Sequence, residues 1–251
     1  MRLTDQQVNE FQQHGYLAGI PIADEFEAHR NREEFNKIEQ REGREKCQKG
    51  LYDPHLTEQV VWNLATDARI LDCIESALGP NLLLMATHFF CKYGPTEAFV
   101  AWHQDLTYWG LEPLEAVSAW YAVDDSDREN GCMQVIGGTH RAGIRQHATA
   151  AAAGNLLSIN QEVPLEEDEL ERVVDIELKA GQISLHHGLL IHGSQPNRSQ
   201  RRRCGLAMVY IPTHVRQTVD SSLGEKWNAI LVRGENREAN FPPTSVPFPL
   251  G

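Results

Sequence analysis

Gly79-Pro80 divides this chain into two stretches whose hydrophobic residues repeat with different periods. Upstream the apolar residues fall at helical spacing. Val8 and Phe11 follow a Thr4-Asp5 helix start and stop at His14-Gly15. Phe26, Phe35 and Ile38 are the few apolar positions in the charged run from Pro21 to Gln48, and Leu56 to Leu78 reads as two further helices. One strand, Tyr16 to Ile20, interrupts them. Downstream come short strand-like runs separated by Gly, Pro, Asn and Asp turns: Leu82–Tyr93, Phe99–Gln104, Ala116–Val123, Cys132–Ile136, Val173–Leu178, Ile183–His187, Leu189–His192, Cys204–Ile211 and Ile230–Val232. Helices followed by many short strands imply a mainly β fold with helical cover, a sandwich or jelly roll.

With 251 residues, the chain suits one large domain. The expected organisation is a helical part over about 1–80, a β core over about 81–233, and an extended proline-rich tail. The stretch 142–171, with its Ala148–Ala153 run and acidic Glu166–Glu169, is too irregular for the core and reads as a lid or mobile surface. The net charge of −12 argues against a general nucleic-acid binder, which gains affinity by neutralising phosphates. It leaves small anionic substrates open, because they sense only local charge. Five scattered cysteines without a C-x-x-C pair read as free thiols. The N-terminus lacks a signal-peptide core, and no apolar run approaches a membrane span, so a soluble, cytoplasmic protein with a small-molecule partner is expected.

His103-Gln104-Asp105 is the most suggestive short motif. On a strand, His103 and Asp105 would share a face and converge. Alone, such a pair is more often structural than metal-binding. Three downstream histidines, His186, His187 and His192, could complete a site; His186 and His187 also suit structural roles at a strand end. His192 is preferred because the turn-rich run Gly193–Ser199 should send the next strand back beside it, with Arg202 or Arg203 opposite. On that strand Cys204, Leu206, Met208 and Tyr210 make a bulky face, and Arg203, Gly205, Ala207 and Val209 a small one. Arg203 is therefore the inward arginine, and a buried guanidinium needs an anion. Two histidines and a carboxylate with open positions opposite suit non-haem Fe(II). An arginine waiting nearby for a carboxylate suits 2-oxoglutarate.

The motifs Trp102-His103-Gln104-Asp105-Leu106, Ala119-Trp120, Asn130 through His140, and His192-Gly193-Ser194-Gln195-Pro196-Asn197 through Arg203 occur in order across about Leu82 to Ile211. In them the chain resembles the phytanoyl-CoA dioxygenase (PhyH-like) family of Fe(II)/2-oxoglutarate oxygenases. The resemblance implies a double-stranded β-helix (jelly roll, cupin-like) with His103, Asp105 and His192 as metal ligands. It further implies Arg203 on the distal carboxylate of 2-oxoglutarate, Ser194 supporting that carboxylate, and Trp120 and His88 lining the same pocket. O2 and 2-oxoglutarate would be consumed, and succinate and CO2 released, as substrate is hydroxylated. Related halogenases carry a small apolar residue in place of the carboxylate, so Asp105 favours hydroxylation.

The substrate is less legible. Gln104, Thr107, Tyr108 and Trp109 leave the metal strand toward the mouth and could touch substrate, although Tyr108 and Trp109 equally suit rim packing. Arg141 could bind an anionic substrate or cap a loop, and Asn155, Asn160 and Gln161 are further polar candidates. A small polar metabolite is expected, with an aminoalkylphosphonate such as 2-aminoethylphosphonate as the specific candidate. The alternatives are a cupin-type metal enzyme that does not use 2-oxoglutarate and a non-catalytic binding protein on the same fold.

Overall fold

The computed structural model describes the chain except residues 50, 150–152, 158–160, 219–225, 243 and 250–251. The first third contains α1 (Asp5–His14), β1 (Tyr16–Pro21), α2 (Glu25–Glu42), α3 (Arg44–Lys49), α4 (Gln59–Ala65) and α5 (Ala68–Leu78). Local chemistry sets these limits. The Thr4 hydroxyl accepts from the Gln7 amide while the Gln7 side chain accepts from the Thr4 amide, a reciprocal cap on two donors that a helix start leaves open. Gly15 ends α1 at φ 79°, a left-handed conformation that only glycine adopts cheaply. Asp24 and Glu27 repeat the same cap on α2.

After Gly79-Pro80 the elements are β2 (Leu82–Lys92), β3 (Val100–His103), α6 (Leu106–Trp109), β4 (Leu111–Glu112), β5 (Val117–Ala122), β6 (Met133–Ile136), β7 (Ala148–Thr149) and β8 (Gln161–Glu162). They continue with α7 (Glu167–Leu170), β9 (Val173–Ile176), β10 (Gln182–His187), β11 (His192–Ser194), β12 (Arg203–Pro212), β13 (Arg216–Gln217) and β14 (Ile230–Arg233). A six-stranded sheet runs β1-β10-β5-β12-β2-β14, and a four-stranded sheet runs β3-β11-β6-β9; every pairing is antiparallel. The early strand β1 is thus an edge of the large sheet.

Period-two alternation in β12 separates two environments. Cys204, Leu206, Met208 and Tyr210 pack with Phe35, Trp62, Ile70 and Ile74 beneath the helical cover. Phe35 of α2 meets Phe89 of β2 with ring centroids 4.7 Å apart, and the Tyr210 hydroxyl donates to Ala65 O at 2.8 Å. Burying each of these large side chains contributes about 1.5–3 kcal/mol. On the opposite face, Arg203, Ala207 and Val209 line a cavity of about 420 Å3 between the two sheets. Gly205 shares that face because the Trp120 ring lies over it: an added Cβ would come within 1.9 Å of a ring carbon.

Four expectations need correction. Strand β3 stops at His103, and Asp105 has helical backbone (φ −58°, ψ −46°) just before α6, so the histidine and the carboxylate do not converge through strand alternation. Leu189 and Leu190 form a turn, with the Leu190 amide donating to His187 O, and strand geometry begins only at His192. The chain after His192 does not fold back beside it. β12 lies in the other sheet, paired with β2 and β5, so Arg203 faces Lys92 across the ladder while His192 faces His103 and Val135. Cys132 precedes its strand rather than starting it. In the irregular stretch, the short ribbon of β7 and β8 lies beside β3, and the Val163 amide donates to Trp102 O.

The space over Gly205 makes Gly205→Ala a stringent substitution. It should cost about 1–3 kcal/mol and lower Tm by several degrees in a thermal melt; an unchanged Tm would show that Trp120 is not held there. Burial also pushes the imidazoles of His55, His88 and His187 down to about 4. They stay neutral in the folded chain, whereas the unfolded chain takes up protons near pH 6.5. Stability should therefore be lost progressively as pH falls from about 6.5 to 4. Urea midpoints at pH 7 and 5 check this, and a higher midpoint at pH 5 would contradict it.

Candidate metal centre

His103 and His192 are directly opposed across the β3–β11 ladder, with ring centroids 4.1 Å apart. Each ring is oriented by a backbone carbonyl two residues earlier: His103 Nδ1 donates to Ala101 O at 2.8 Å, and His192 Nδ1 to Leu190 O at 2.9 Å. A carbonyl can only accept, so Nδ1 carries the proton and Nε2 keeps its lone pair for a metal. The turn into α6 then brings Asp105 Oδ1 to 3.4 Å from His103 Nε2 and 3.9 Å from His192 Nε2. The three donor atoms lie within 4.8 Å of one another.

Burial raises the Asp105 carboxyl, but the imidazoles of His192, His103 and His186 around it outweigh burial and hold it well below the usual carboxylate range. Burial, reinforced by His103, pushes the His192 imidazole down to about 3. The cluster therefore offers a neutral His192 imidazole and an ionised Asp105 carboxylate at neutral pH, and with His103 turned so that Nε2 faces them it makes a donor set that fits Fe(II) and leaves positions open.

Among the other histidines, His187 has its Nδ1 occupied, accepting from the Leu189 amide at 3.0 Å, which is a structural role. His186 lines the cavity with Nε2 3.6 Å from Asp105 Oδ2, so it braces the carboxylate's other oxygen rather than joining the triad. Ser118 Oγ reaches the same oxygen at 3.5 Å.

Arg203 is 3% exposed. Its guanidinium carbon sits 4.5 Å from the centroid of the Trp120 ring and its Nε donates to Ser126 Oγ at 3.5 Å. Burial lowers it to about 10, so it remains a cation at neutral pH. It projects from the small-residue face of β12, as the alternation in that strand implies, but no hairpin sets it beside His192.

Ser194, Trp120, His88, Tyr108 and Trp109 line the cavity. The His88 ring stacks between Tyr52 and Phe90, at 4.4 and 4.3 Å. Gln104, Thr107 and Arg141 are not among the lining residues. The Gln104 amide is spent on structure: its nitrogen donates to Gly143 O and Leu189 O, and its oxygen accepts from the Arg145 amide. Arg141 is exposed and lies against Gly138, outside the cavity. Asn155 braces β3, its side-chain oxygen accepting from the Ala101 amide. Asn160 lies outside the described residues. The cavity also takes in residues not singled out from sequence, Tyr52, Phe90, Met133 and Trp227. Apolar runs carry no signal for which members face a cavity. Lys92, buried beside Arg203, was missed as well.

Comparison with known proteins agrees with this geometry. The phytanoyl-CoA dioxygenase (PhyH) family profile matches residues 11–205. A probable alpha-ketoglutarate-dependent hypophosphite dioxygenase of Stutzerimonas stutzeri is 26% identical over 206 residues, covering 79% of this chain and 70% of that protein. Human peroxisomal phytanoyl-CoA dioxygenase is 27% identical over 221 residues, covering 79% of this chain and 65% of that protein. The solved structure of the non-haem monooxygenase ThoJ superposes with a TM-score of 0.78 at 27% identity, over 95% of this chain and 87% of that one. No described helix is long and apolar enough to cross a membrane. The sheets, the His-Asp-His cluster and the profile match lead to one conclusion: the chain belongs to the phytanoyl-CoA dioxygenase family of Fe(II)- and 2-oxoglutarate-dependent dioxygenases.

Proposed function

We propose that this protein hydroxylates a C–H bond of a small molecule, with His103, Asp105 and His192 holding Fe(II) and Arg203 pairing the distal carboxylate of 2-oxoglutarate. The observation that carries the reading is the joint presence, in one cavity, of the three convergent donors and a buried guanidinium with no carboxylate partner among the described residues. Bound iron supplies the redox chemistry by which O2 and 2-oxoglutarate become succinate, CO2 and an oxidising equivalent for substrate. The chain's own residues do the rest. His186 and Ser118 hold the second Asp105 oxygen, which keeps the carboxylate's orientation fixed. Trp120 stacks on Arg203 and sets the plane in which it meets a carboxylate. Ser194 and His88 complete the co-substrate's side of the cavity. Retention of the Asp105 carboxylate favours hydroxylation over halogenation.

The cavity walls bear on the substrate. Tyr52, Phe90, Tyr108, Trp109 and Trp227 present aromatic surface suited to an apolar body or an ammonium group. The hypophosphite dioxygenase relative supports a phosphorus compound such as an aminoalkylphosphonate. Against it stands Arg141, the cation expected to receive the phosphonate, which lies outside the cavity. Arg203 is the only Lys or Arg among the described lining residues. Aminoalkylphosphonates, betaines and amino acids form the first panel of candidates, with product scored by the mass gain of an oxygen atom.

Removing a ligand by His192→Ala or Asp105→Ala should weaken Fe(II) binding by at least about 100-fold, beyond the loss typical of a residue that only supports a ligand. Anaerobic Fe(II) titration measures it, and near-native binding by both variants would reject the triad. Arg203→Ala should cost about 2–5 kcal/mol of 2-oxoglutarate affinity, roughly 30-fold or more. Succinate formation at low 2-oxoglutarate should fall accordingly; unchanged formation would reject Arg203 as the carboxylate anchor, and no succinate from the wild type would favour the cupin-type reading without 2-oxoglutarate.

A further inference from the structure

A second buried cation stands beside Arg203, and no step described so far uses it. Lys92 ends β2 directly opposite Arg203, and opposed residues of an antiparallel ladder project from the same face. Lys92 is 0% exposed. Neither cation has a carboxylate partner among the described residues. Besides Arg203, the titratable group facing the Lys92 ammonium is the Cys132 thiol, and the carboxylate beyond that thiol, Asp175, is taken by Arg128 at 2.6 Å. Two adjacent buried positive charges are costly unless an anion joins them.

Lys92 does not line the cavity, but Ser194 does. The Lys92 ammonium donates to Ser194 Oγ at 2.6 Å, to Gly131 O at 3.2 Å and to Gln195 O. An ammonium has three hydrogens and no lone pair. All three are spent on these acceptors, so Lys92 cannot reach a ligand itself, and Ser194 keeps its own hydroxyl proton to donate elsewhere. We propose that Lys92 is a positioning residue for the co-substrate: in its ammonium form it makes Ser194 a donor to the carboxylate that Arg203 binds, and in its amine form it takes that proton away. The proposal rests on the 2-oxoglutarate reading above.

The two forms differ in one proton. The neutral amine has two hydrogens and a lone pair, which accepts from Ser194 and turns the hydroxyl away from the cavity. Burial, with Arg203 adding to it, pushes Lys92 down to about 6, and a carboxylate that accepts the Ser194 proton selects the ammonium form again, since only the ammonium leaves that proton free. Co-substrate binding above about pH 6 therefore takes up a proton, and affinity declines as pH rises through that range.

The test titrates 2-oxoglutarate anaerobically into the Fe(II)-loaded protein by calorimetry, comparing wild type with Lys92→Met, Ser194→Ala and the double variant at several pH values. Wild-type Kd should rise about tenfold from pH 6.5 to 8. At pH 6.5 each single variant should bind roughly tenfold more weakly than wild type and lose the pH dependence, while Fe(II) affinity is retained; the double variant should be no worse than either single one. A lysine that merely tethers the loop carbonyls of Gly131 and Gln195 would lower Tm in Lys92→Met while leaving Kd and its pH profile intact, and that result overturns the proposal. Should Lys92→Met fail to fold, Ser194→Ala decides alone, because persistence of the wild-type pH profile in it is equally fatal. Wild type failing to bind 2-oxoglutarate, or Arg203→Ala binding it as wild type does, would instead overturn the underlying functional reading.

Discussion

The pairing of β11 with β3 is the constraint on which the site depends. It opposes His192 to His103 within one ladder, and the carbonyls of Leu190 and Ala101 then fix both rings with Nε2 inward. β11 is only three residues long, and Val135 on β6 holds its other side opposite His192. Gly193 admits this close approach, since an added Cβ there would meet Val100 O at 2.9 Å. The two imidazoles are therefore placed by backbone hydrogen bonds before any metal arrives, which lowers the ordering cost of binding one.

Around this ladder the large sheet supplies charge. Trp120 from β5, Arg203 from β12 and Lys92 from β2 come from three adjacent strands, and neither Arg203 nor Lys92 has an acidic partner among the described residues. Such an arrangement is unfavourable in the empty chain and favourable once an anion is present, so it stores specificity for a carboxylate. The helical cover makes the other half of the fold. Its apolar side chains pack on the opposite face of the same strands, which keeps β12 from shifting register and moving Arg203 out of the cavity.

Much of this was legible in the sequence because it depends on local pattern. The period change at Gly79-Pro80 marks the helical and sheet regions, Thr4 and Gly15 bound α1, and the small face of β12 identifies Arg203 as inward. What could not be read depends on partners distant in sequence. The turn after His192 looks like a hairpin, yet β12 joins the other sheet because its apolar face is needed under the helices. Asp105 reaches the site by a turn into α6, which His-x-Asp alone cannot distinguish from a continued strand. Gln104 and Arg141 are polar residues near motifs, and only the positions of Leu189, Gly143 and Gly138 show that they serve structure or lie outside. Lys92 resembles any lysine at a strand end until its register with Arg203 buries it.

Turnover under isotopically labelled dioxygen tests the central claim most directly, namely that the His-Asp-His cluster and Arg203 act together on iron and 2-oxoglutarate. With Fe(II), 2-oxoglutarate and labelled O2, the account predicts that each succinate formed carries a single labelled oxygen atom and is matched by a molecule of CO2. Intact 2-oxoglutarate after prolonged incubation with Fe(II)-loaded protein and the substrate panel, or succinate free of label, would contradict it.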